Sequence, residues 1–300
     1  MKIYDCFTFF NELEVLEIRL NVLNDYVDYF VIVEATKTHA GRPKELYYLK
    51  NKNKFKKFEN KIIHIIVDDM PEIKESRWEL ENFQRNAIIR GLKNCEPDDI
   101  ILISDVDEIP DPKKFKQMKE ILTKRKRNNK NLIYFTKNIY MKLKNVKYIS
   151  RYITFPLKMI LSYPIVVFEN KLFYYYLNGF VKDNWAGTAS LLYSDLVDVY
   201  ERQPQLVRDI RNRYSLNMLR NSGWHFSFLG NSERIKFKLN SFAHSEYDKP
   251  EINDPKLIEK RIKEGKNILG KKENIRYIKI SNDYPDYLLN NLEKYKELIM

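Results

Sequence analysis

The sequence predicts an α/β fold in which a mainly parallel sheet is covered by helices on both faces. Through the first half of the chain, short apolar segments alternate with amphipathic segments of helical period. Several apolar segments are continuous and rich in β-branched residues, which is typical of strands that are buried on both faces. Of the 300 residues, 44% are hydrophobic, so the chain can bury the core that such a fold requires. We therefore predict an α/β/α sandwich.

Strands and helices alternate in the prediction for the first third of the chain. The first strand is predicted over residues 2–10, and leucines at three- and four-residue steps after it predict a helix with one buried stripe. Further strands are predicted over residues 29–33, 61–67 and 100–103. A helix is predicted over residues 76–92, before the last of these strands. This alternation favours parallel pairing of the strands.

The rest of the chain predicts aromatic-rich strands followed by helices. The strands are predicted over residues 132–143 and 165–176, and helices are predicted in the last part of the chain. No Gly/Ser-rich linker interrupts the sequence. We therefore predict one domain over residues 1–247, with a helical extension over residues 248–300 packed on it.

The chain is strongly basic. Fifty-three basic and 41 acidic residues give a net charge of +12 at pH 7. This charge favours anionic partners, namely nucleotide phosphates, nucleic acid or an anionic membrane surface. Residues 113–130 are the most basic segment, and we interpret them first as a solvated helix face. Peripheral contact with phosphate or with an anionic membrane is the alternative.

Two features of the sequence predict a cytoplasmic protein. Cys6 and Cys95 are too few for a disulfide framework or a zinc cluster, so they are interpreted as reduced thiols. The first residues lack the basic and apolar regions of a signal peptide, and no apolar run reaches the roughly 18 residues of a transmembrane helix. We expect a cytoplasmic location, with any membrane association limited to peripheral contact.

The main candidate site is an acidic cluster at the end of the fourth predicted strand. Asp105 and Asp107 follow the apolar residues 100–103, and Pro110 and Pro112 end the strand soon afterwards. Open α/β sheets bind ligands at the carboxyl edge of their strands. In extended backbone, side chains two residues apart leave the same face, so both carboxylates are expected to converge there. Such a pair can hold a divalent cation, Mn²⁺ or Mg²⁺, and leave positions open for substrate phosphates.

The acidic pattern and the net charge leave several alternatives open. The acidic residues can form a solvated turn without a ligand. A cation held there can neutralise the diphosphate that leaves in glycosyl transfer from a nucleotide sugar. It can also serve a Mg²⁺-dependent phosphatase of the haloacid-dehalogenase type, whose first aspartate is a nucleophile. The non-enzymatic alternative is a basic nucleic-acid-binding protein, but no recognised binding module is present and we expect no specific nucleic acid.

Six segments, in order along the chain, resemble glycosyltransferase family 17. They are YDCFTFFNE (4–12), FVIVEAT (30–36), WELENFQRN (78–86), ISDVDEIP (103–110), GWHFS (223–227) and SFAHSE (241–246). The resemblance implies that residues 1–247 form a GT-A-type catalytic domain with a manganese-type cation. It also implies a UDP-sugar donor, with N-acetylglucosamine as the sugar, and inversion at the anomeric carbon.

The implied acceptor is a hydroxyl group of a glycan or glycoconjugate. Animal members of the family carry an amino-terminal membrane anchor and act in the Golgi. This chain begins almost at its first predicted strand. We therefore do not transfer the compartment or the glycoprotein acceptor of those members to this chain.

The resemblance and the predicted sheet edge together assign roles to individual residues. Asp107 is the first candidate for direct metal ligation, and Asp105 for a second contact through the metal, water or ribose. Phe7, Asn11 and Glu34 lie at the ends of the first two strands, where a nucleotide would rest. Core packing is the alternative role for Phe7.

Further candidates lie on the helix before the fourth strand and late in the chain. Arg85 and Asn86 are candidates for contact with the nucleotide, and Arg85 can instead pair with Glu81, one helical turn earlier. His225 and His244 lie among aromatic residues, and either is a candidate for one further metal ligand.

The sequence also offers two candidates for the base of an inverting reaction. Such a reaction needs a carboxylate that takes the proton of the acceptor hydroxyl group. Glu246, two residues after His244, is the first candidate, and Asp183, beside Trp185, is the second. The expected enzyme is thus a metal-dependent, inverting glycosyltransferase that uses a UDP-sugar and a glycan acceptor.

Overall fold

The computed structural model describes residues 1–124, 165–211, 217–272 and 274–300, and its centre is one mixed sheet. In chain order, the strands are β1 (Ile3–Phe9), β2 (Tyr29–Ala35), β3 (Ile62–Val67), β4 (Ile100–Asp105), β5 (Glu108–Pro110), β6 (Val166–Tyr174), β7 (Gly179–Leu192), β8 (Met218–Leu219), β9 (Gly223–Ser227) and β10 (Arg276–Tyr277). Their spatial order is β3-β2-β1-β4-β7-β6-β9-β5, with β10 beside β7 and β8 beside β6. The strand predicted over residues 132–143 lies outside the described residues.

Helices connect the strands and follow them. The α-helices are Leu13–Leu23, Tyr47–Asn51, Trp78–Asn86, Tyr193–Asp198, Pro204–Ile210, Ser232–Ser241, Pro250–Asn253, Pro255–Lys263 and Asp286–Leu289. Residues 115–124 are also helical. The 3₁₀ helices are Lys52–Phe58, Ala87–Gly91, Pro112–Lys114, Ser245–Tyr247 and Leu292–Leu298. Within the described ranges, no helix combines the length and the apolar character that crossing a lipid bilayer requires.

The four strands predicted in the first third of the chain form a continuous block of parallel strands at one side of the sheet. β1 pairs in parallel with β2 and with β4, and β2 pairs in parallel with β3. Thr8 therefore lies opposite Asp105, so the carboxyl ends of β1 and β4 meet at one edge. Beyond β4, the strand β7 runs antiparallel to both β4 and β6, and β6 pairs in parallel with β9. The predicted α/β fold with a mainly parallel, Rossmann-like sheet is confirmed.

Alternate residues of the central strands pack into two hydrophobic clusters. In β4, Leu102 packs with residues of the helix Leu13–Leu23, whereas Ile103 packs with residues of the helix Trp78–Asn86. Successive side chains of a strand point to opposite faces, so the two clusters lie on opposite sides of the sheet. The sheet is therefore buried between two helical layers, which is the predicted α/β/α sandwich.

The carboxy-terminal residues pack on the same core. Leu288, Tyr295 and Leu298 belong to the cluster that also contains Leu102. The short strand β10 pairs antiparallel with β7, so this part of the chain also adds to the sheet. The boundary at residue 247 between a domain and its extension stays a prediction.

Candidate active site

A cleft of about 500 Å³ opens at the carboxyl ends of β1 and β4. Side chains from three helices, Trp78–Asn86, Pro204–Ile210 and Ser232–Ser241, and from strand β9 contribute to its lining. Among the described residues, seven lysines and arginines, five aspartates and glutamates, and eight aromatic residues line it. The excess of cationic side chains suits an anionic ligand, and the aromatic rings provide flat apolar faces for stacking.

Asp105, at the end of β4, binds two arginine side chains in this cleft. Its Oδ1 accepts a hydrogen bond of 2.8 Å from Arg85 Nη2, and its Oδ2 accepts one of 2.5 Å from Arg208 Nη2. Burial would raise the pKa of Asp105, but Arg208 and Arg85 outweigh burial and hold the pKa well below its usual range. Both oxygens are therefore engaged by guanidinium groups. The expected contact of Asp105 with a metal or ribose stays a prediction, since the side chain also lines the cleft.

Arg85 is buried and has three carboxylate or amide partners. Besides Asp105, its guanidinium group donates to Glu81 Oε1 at 2.9 Å and to Gln205 Oε1 at 2.6 Å. The pair with Glu81, the alternative given by the sequence, is thus present in the structure. Arg85 also lines the cleft, so its guanidinium group can reach a ligand that binds there.

Glu108 is fully buried, and its carboxylate binds Arg208, the same arginine that binds Asp105. Its carboxylate accepts hydrogen bonds from Arg208, from Trp185 Nε1 at 2.8 Å and from the backbone N–H of Asp105 at 3.2 Å. Burial would raise the pKa of Glu108, but Arg208 outweighs burial and the pKa is lowered. Glu108 therefore fixes both Arg208 and the backbone turn between the two aspartates.

We expect Glu108→Gln to lower the free energy of unfolding at about pH 7, with a smaller effect in acid. A carboxyl group whose pKa is lower in the folded chain contributes stability that is fully present above its unfolded pKa, near pH 4, and is lost as the pH falls through the folded value. The difference between wild type and variant should therefore shrink below about pH 4. Urea unfolding across this range measures it, with the exposed Glu297→Gln as control. A difference that does not change with pH would contradict the prediction.

Asp107 lies in the turn after β4 and has different partners from Asp105. Its Oδ2 accepts a hydrogen bond of 3.1 Å from Lys238 Nζ, and its Oδ1 is 3.4 Å from Nε2 of His225. Burial would raise the pKa of Asp107, but Lys238 and His225 outweigh burial and hold the pKa well below its usual range. The two aspartates therefore do not converge on one point, contrary to the expectation from an extended backbone.

His225 is placed beside Asp107 by strand pairing. It lies on β9 directly opposite Glu108 of β5, and its side chain is almost fully buried in the cleft wall. Its Nδ1 is buried and has no hydrogen-bond partner among the described residues. Of the two histidines predicted as metal ligands, His225 is therefore the one adjacent to Asp107.

His244 lines another part of the cleft, within a group of aromatic rings. Its ring centroid is 4.6 Å from that of Trp78 and 5.4 Å from that of Phe242. Its Nδ1 is 2.6 Å from Glu246 Oε1. Burial would raise the pKa of Glu246, but the hydrogen bond with His244 outweighs it and the pKa is lowered. Glu246 itself does not line the cleft, and neither does Asp183, which is exposed on β7.

Two residues predicted to contact the nucleotide are buried outside the cleft. Phe7 is fully buried, and the guanidinium carbon of Arg19 lies 4.4 Å from the centre of its ring. Glu34 is also fully buried, and it accepts hydrogen bonds from the backbone N–H of Tyr48 at 3.0 Å and from His64 at 3.1 Å. The prediction of nucleotide contact is therefore wrong for these side chains, whose surfaces are covered by the protein.

The two predicted asparagines also lie beside the cleft wall and not in it. Asn11 lines a separate small depression next to Glu12. The side-chain oxygen of Asn86 accepts a hydrogen bond of 3.0 Å from the backbone N–H of Gln205. Asn86 thus fixes the start of the helix Pro204–Ile210, which carries Arg208.

A buried arginine that the sequence analysis missed supports the turn after β4. Arg19 is fully buried and forms an ion pair with the equally buried Asp5 at 2.6 Å. Its Nη1 is 3.0, 3.2 and 2.8 Å from the backbone oxygens of Asp105, Val106 and Glu108 respectively. The signal that could have revealed it is a charged residue within each of two apolar segments, since buried charges need partners.

A divalent cation fits two of the candidate ligands. Within the described part of the chain, no group of three or more His, Cys, Asp or Glu side chains is arranged around a common metal position. Asp107 and His225 are adjacent and face the cleft, with one carboxylate and one imidazole as ligands. An ion held by two protein ligands leaves positions open for water and substrate oxygens, as Mg²⁺ and Mn²⁺ sites commonly do.

Comparison with known proteins agrees with the sequence motifs. The family model described as Glycosyltransferase family 17 matches residues 1–149. Proteins named Beta-1,4-mannosyl-glycoprotein 4-beta-N-acetylglucosaminyltransferase from Homo sapiens and Rattus norvegicus are each 29% identical to this chain over 107 residues, and the Mus musculus protein is 28% identical. The matched region covers 33% of this chain and 20% of each relative, so the match spans about a fifth of their length. The predicted resemblance to glycosyltransferase family 17 is thereby confirmed, over residues 1–149.

Proposed function

We propose that this chain is a metal-dependent, inverting glycosyltransferase that moves N-acetylglucosamine from UDP to a hydroxyl group of a glycan. The family match and the names of the relatives support a glycosyltransferase with a sugar donor and a glycan acceptor. The observation that carries the proposal is the grouping of Asp107, His225 and Lys238 in a cleft with an excess of cationic residues. Such a grouping can bind and neutralise a nucleoside diphosphate.

Cationic side chains of the cleft can stabilise the departing UDP. Negative charge grows on the diphosphate as its bond to the sugar breaks. Lys238, Arg208 and Arg211 line the cleft and can donate hydrogen bonds to phosphate oxygens. Burial and the neighbouring Arg208 lower the pKa of Arg211 to about 9, so it stays protonated near pH 7. A bound anion would relieve the repulsion between these two arginines.

Asp107 and His225 would hold a Mn²⁺ or Mg²⁺ ion beside the diphosphate. When bound, the ion supplies Lewis-acid stabilisation of the leaving group. Lys238 has a second carboxylate partner, Glu12, at 3.0 Å. It can therefore keep an ion-pair partner when Asp107 binds the cation.

The aromatic group around His244 can bind the ring of a sugar or a base. Trp78 is more than one-third exposed, and the rings of Phe242 and Tyr247 stack at a centroid distance of 6.4 Å. All three side chains line the cleft. Pyranose and uracil rings both present flat faces that pack well on aromatic side chains.

Release of UDP from a panel of donors tests this proposal. The purified chain is incubated with UDP-N-acetylglucosamine, UDP-glucose or UDP-galactose, in Mn²⁺, in Mg²⁺ and in a chelator. We expect the fastest release from UDP-N-acetylglucosamine with Mn²⁺, and almost none with the chelator. Release that is insensitive to the chelator would disprove the metal dependence, and absence of release from all donors would disprove the proposed activity.

The contacts of Asp105 disfavour the phosphatase alternative. A phosphatase of the haloacid-dehalogenase type needs its first aspartate free for nucleophilic attack. Both oxygens of Asp105 instead accept hydrogen bonds from Arg85 and Arg208. Peripheral membrane contact through residues 113–130 stays a prediction, and residues 125–130 of that segment lie outside the described residues.

A further inference from the structure

The structure points to a catalytic base that the sequence analysis did not identify, and we propose that it is Asp209. The inference rests on the proposed function, because it concerns the same transfer reaction. Asp209 lies on the helix Pro204–Ile210, lines the cleft and is exposed to solvent. The two candidates from the sequence, Glu246 and Asp183, do not line the cleft.

Asp209 differs from the other cleft carboxylates in its partners. Among the described residues, the carboxylates that line the cleft are Glu12, Glu81, Asp105, Asp107 and Asp209. Lys238 forms ion pairs with two of them, and Arg85 forms ion pairs with two others. Oxygens of these four carboxylates are already engaged by the two cations, which leaves fewer lone pairs for the proton of an acceptor. Within the described part of the chain, Asp209 has no cationic partner.

Gln205 orients the carboxylate of Asp209. The side-chain oxygen of Gln205, Oε1, accepts a hydrogen bond of 2.6 Å from Arg85. Because a guanidinium group can only donate, this contact fixes which end of the amide is the oxygen, and the amide nitrogen faces Asp209. That nitrogen donates to Asp209 Oδ1 at 2.8 Å. The other oxygen, Oδ2, has no protein donor among the described residues and keeps its lone pairs for a proton. A base oriented by a neighbouring hydrogen-bond donor is the usual arrangement of a catalytic base.

The position of Asp209 suits a proton acceptor for an incoming glycan. Arg208, its neighbour on the same helix, contacts Asp105 and the buried Glu108, whereas Asp209 is exposed where an acceptor can arrive from solvent. The acceptor oxygen forms a bond to the anomeric carbon, and its proton passes to Asp209. The bond from that carbon to the phosphate oxygen breaks, and its electron pair leaves with UDP. Attack opposite to UDP inverts the configuration.

Azide provides a test that separates a base from a structural residue. The full chain is incubated with UDP-N-acetylglucosamine and the cation, with water or sodium azide as acceptor, and UDP release is measured. In Asp209→Ala, release with water should fall by about a hundredfold or more. The dissociation constant of UDP, measured by calorimetry, should change by less than about threefold. Azide has no proton to lose, so it should restore release in the variant and form the glycosyl azide.

Matched variants make the outcome decisive. Asp25→Ala removes an exposed carboxylate outside the cleft that also accepts one side-chain amide hydrogen bond, from Asn24, and it should leave the rate and the UDP affinity unchanged. A wild-type rate in Asp209→Ala would overturn the inference, and so would a lost rate that azide does not restore. Loss of UDP affinity in that variant would overturn it as well, because it indicates a binding role. A wild-type chain that neither binds nor releases UDP would overturn the proposed function itself, and the inference with it.

Discussion

Asp107→Asn is expected to reduce the rate of UDP release by about a hundredfold to a thousandfold. The side-chain volume hardly changes, but the charge that binds Lys238 and faces His225 is lost. A neutral amide holds a divalent cation less tightly than a carboxylate does. Because the pKa of Asp107 lies well below its usual range, the wild-type carboxylate is charged throughout the pH range of an enzyme assay. The rate constant at saturating donor and Mn²⁺ is the measurement.

Two comparisons show whether the loss comes from the cation. Asp25→Asn, which changes an exposed carboxylate outside the cleft, should release UDP at the wild-type rate. The wild-type chain should also bind UDP more tightly in Mn²⁺ than in a chelator, whereas Asp107→Asn should bind it equally in both. If the variant keeps the tighter binding in Mn²⁺, the cation is held by other residues and the proposed ligand is wrong.

The parallel half of the sheet could be predicted because each of its strands is a continuous apolar run. β4, for example, contains four consecutive apolar residues and is buried on both faces. β7 could not be predicted in the same way, because the polar segment 182–184 interrupts its pattern near the middle. Its residues on either side of that segment are ordered by pairing with β6 and β4, and such pairing is not visible in the local sequence.

The prediction that the carboxylates of Asp105 and Asp107 converge is wrong because of the local backbone conformation. The prediction that they share a face assumes that the backbone stays extended through residue 107. The strand instead ends at Asp105, and Val106 and Asp107 form a turn before β5 begins. The turn directs the second carboxylate toward Lys238 and His225, which come from later parts of the chain. The sequence thus predicts an acidic site here, but the partners of each carboxylate depend on the tertiary structure.

Phe7 shows why a residue at a strand end could not be assigned from the strand alone. Its position near the carboxyl end of β1 agrees with both a nucleotide contact and a core contact. Which of the two contacts Phe7 makes depends on Arg19, which is fully buried and covers the Phe7 ring. A buried arginine within the apolar stripe of a helix indicates an internal ion pair, and Asp5 in the middle of β1 is its partner.

Arg19→Met is expected to lower the free energy of unfolding by about 3–5 kcal/mol, because it leaves the Asp5 carboxylate buried without its ion-pair partner. Both side chains of this pair are fully buried, so solvent cannot take over the lost interaction. Equilibrium unfolding in urea measures the change, provided that the variant is still folded in buffer. An exposed arginine gives the matched control: Arg42→Met should change stability far less, because that side chain lies in solvent.

The double variant Asp5→Leu/Arg19→Met separates stability from site geometry. Replacing both members of a buried ion pair with apolar residues removes the unpaired charge, so we expect it to recover much of the lost stability. It does not restore the donor to the backbone oxygens of Asp105, Val106 and Glu108. The double variant should therefore fold well and still release UDP at least about tenfold more slowly than wild type, since small displacements of catalytic groups are costly. Recovery of the wild-type rate together with stability would show that the turn keeps its geometry without Arg19.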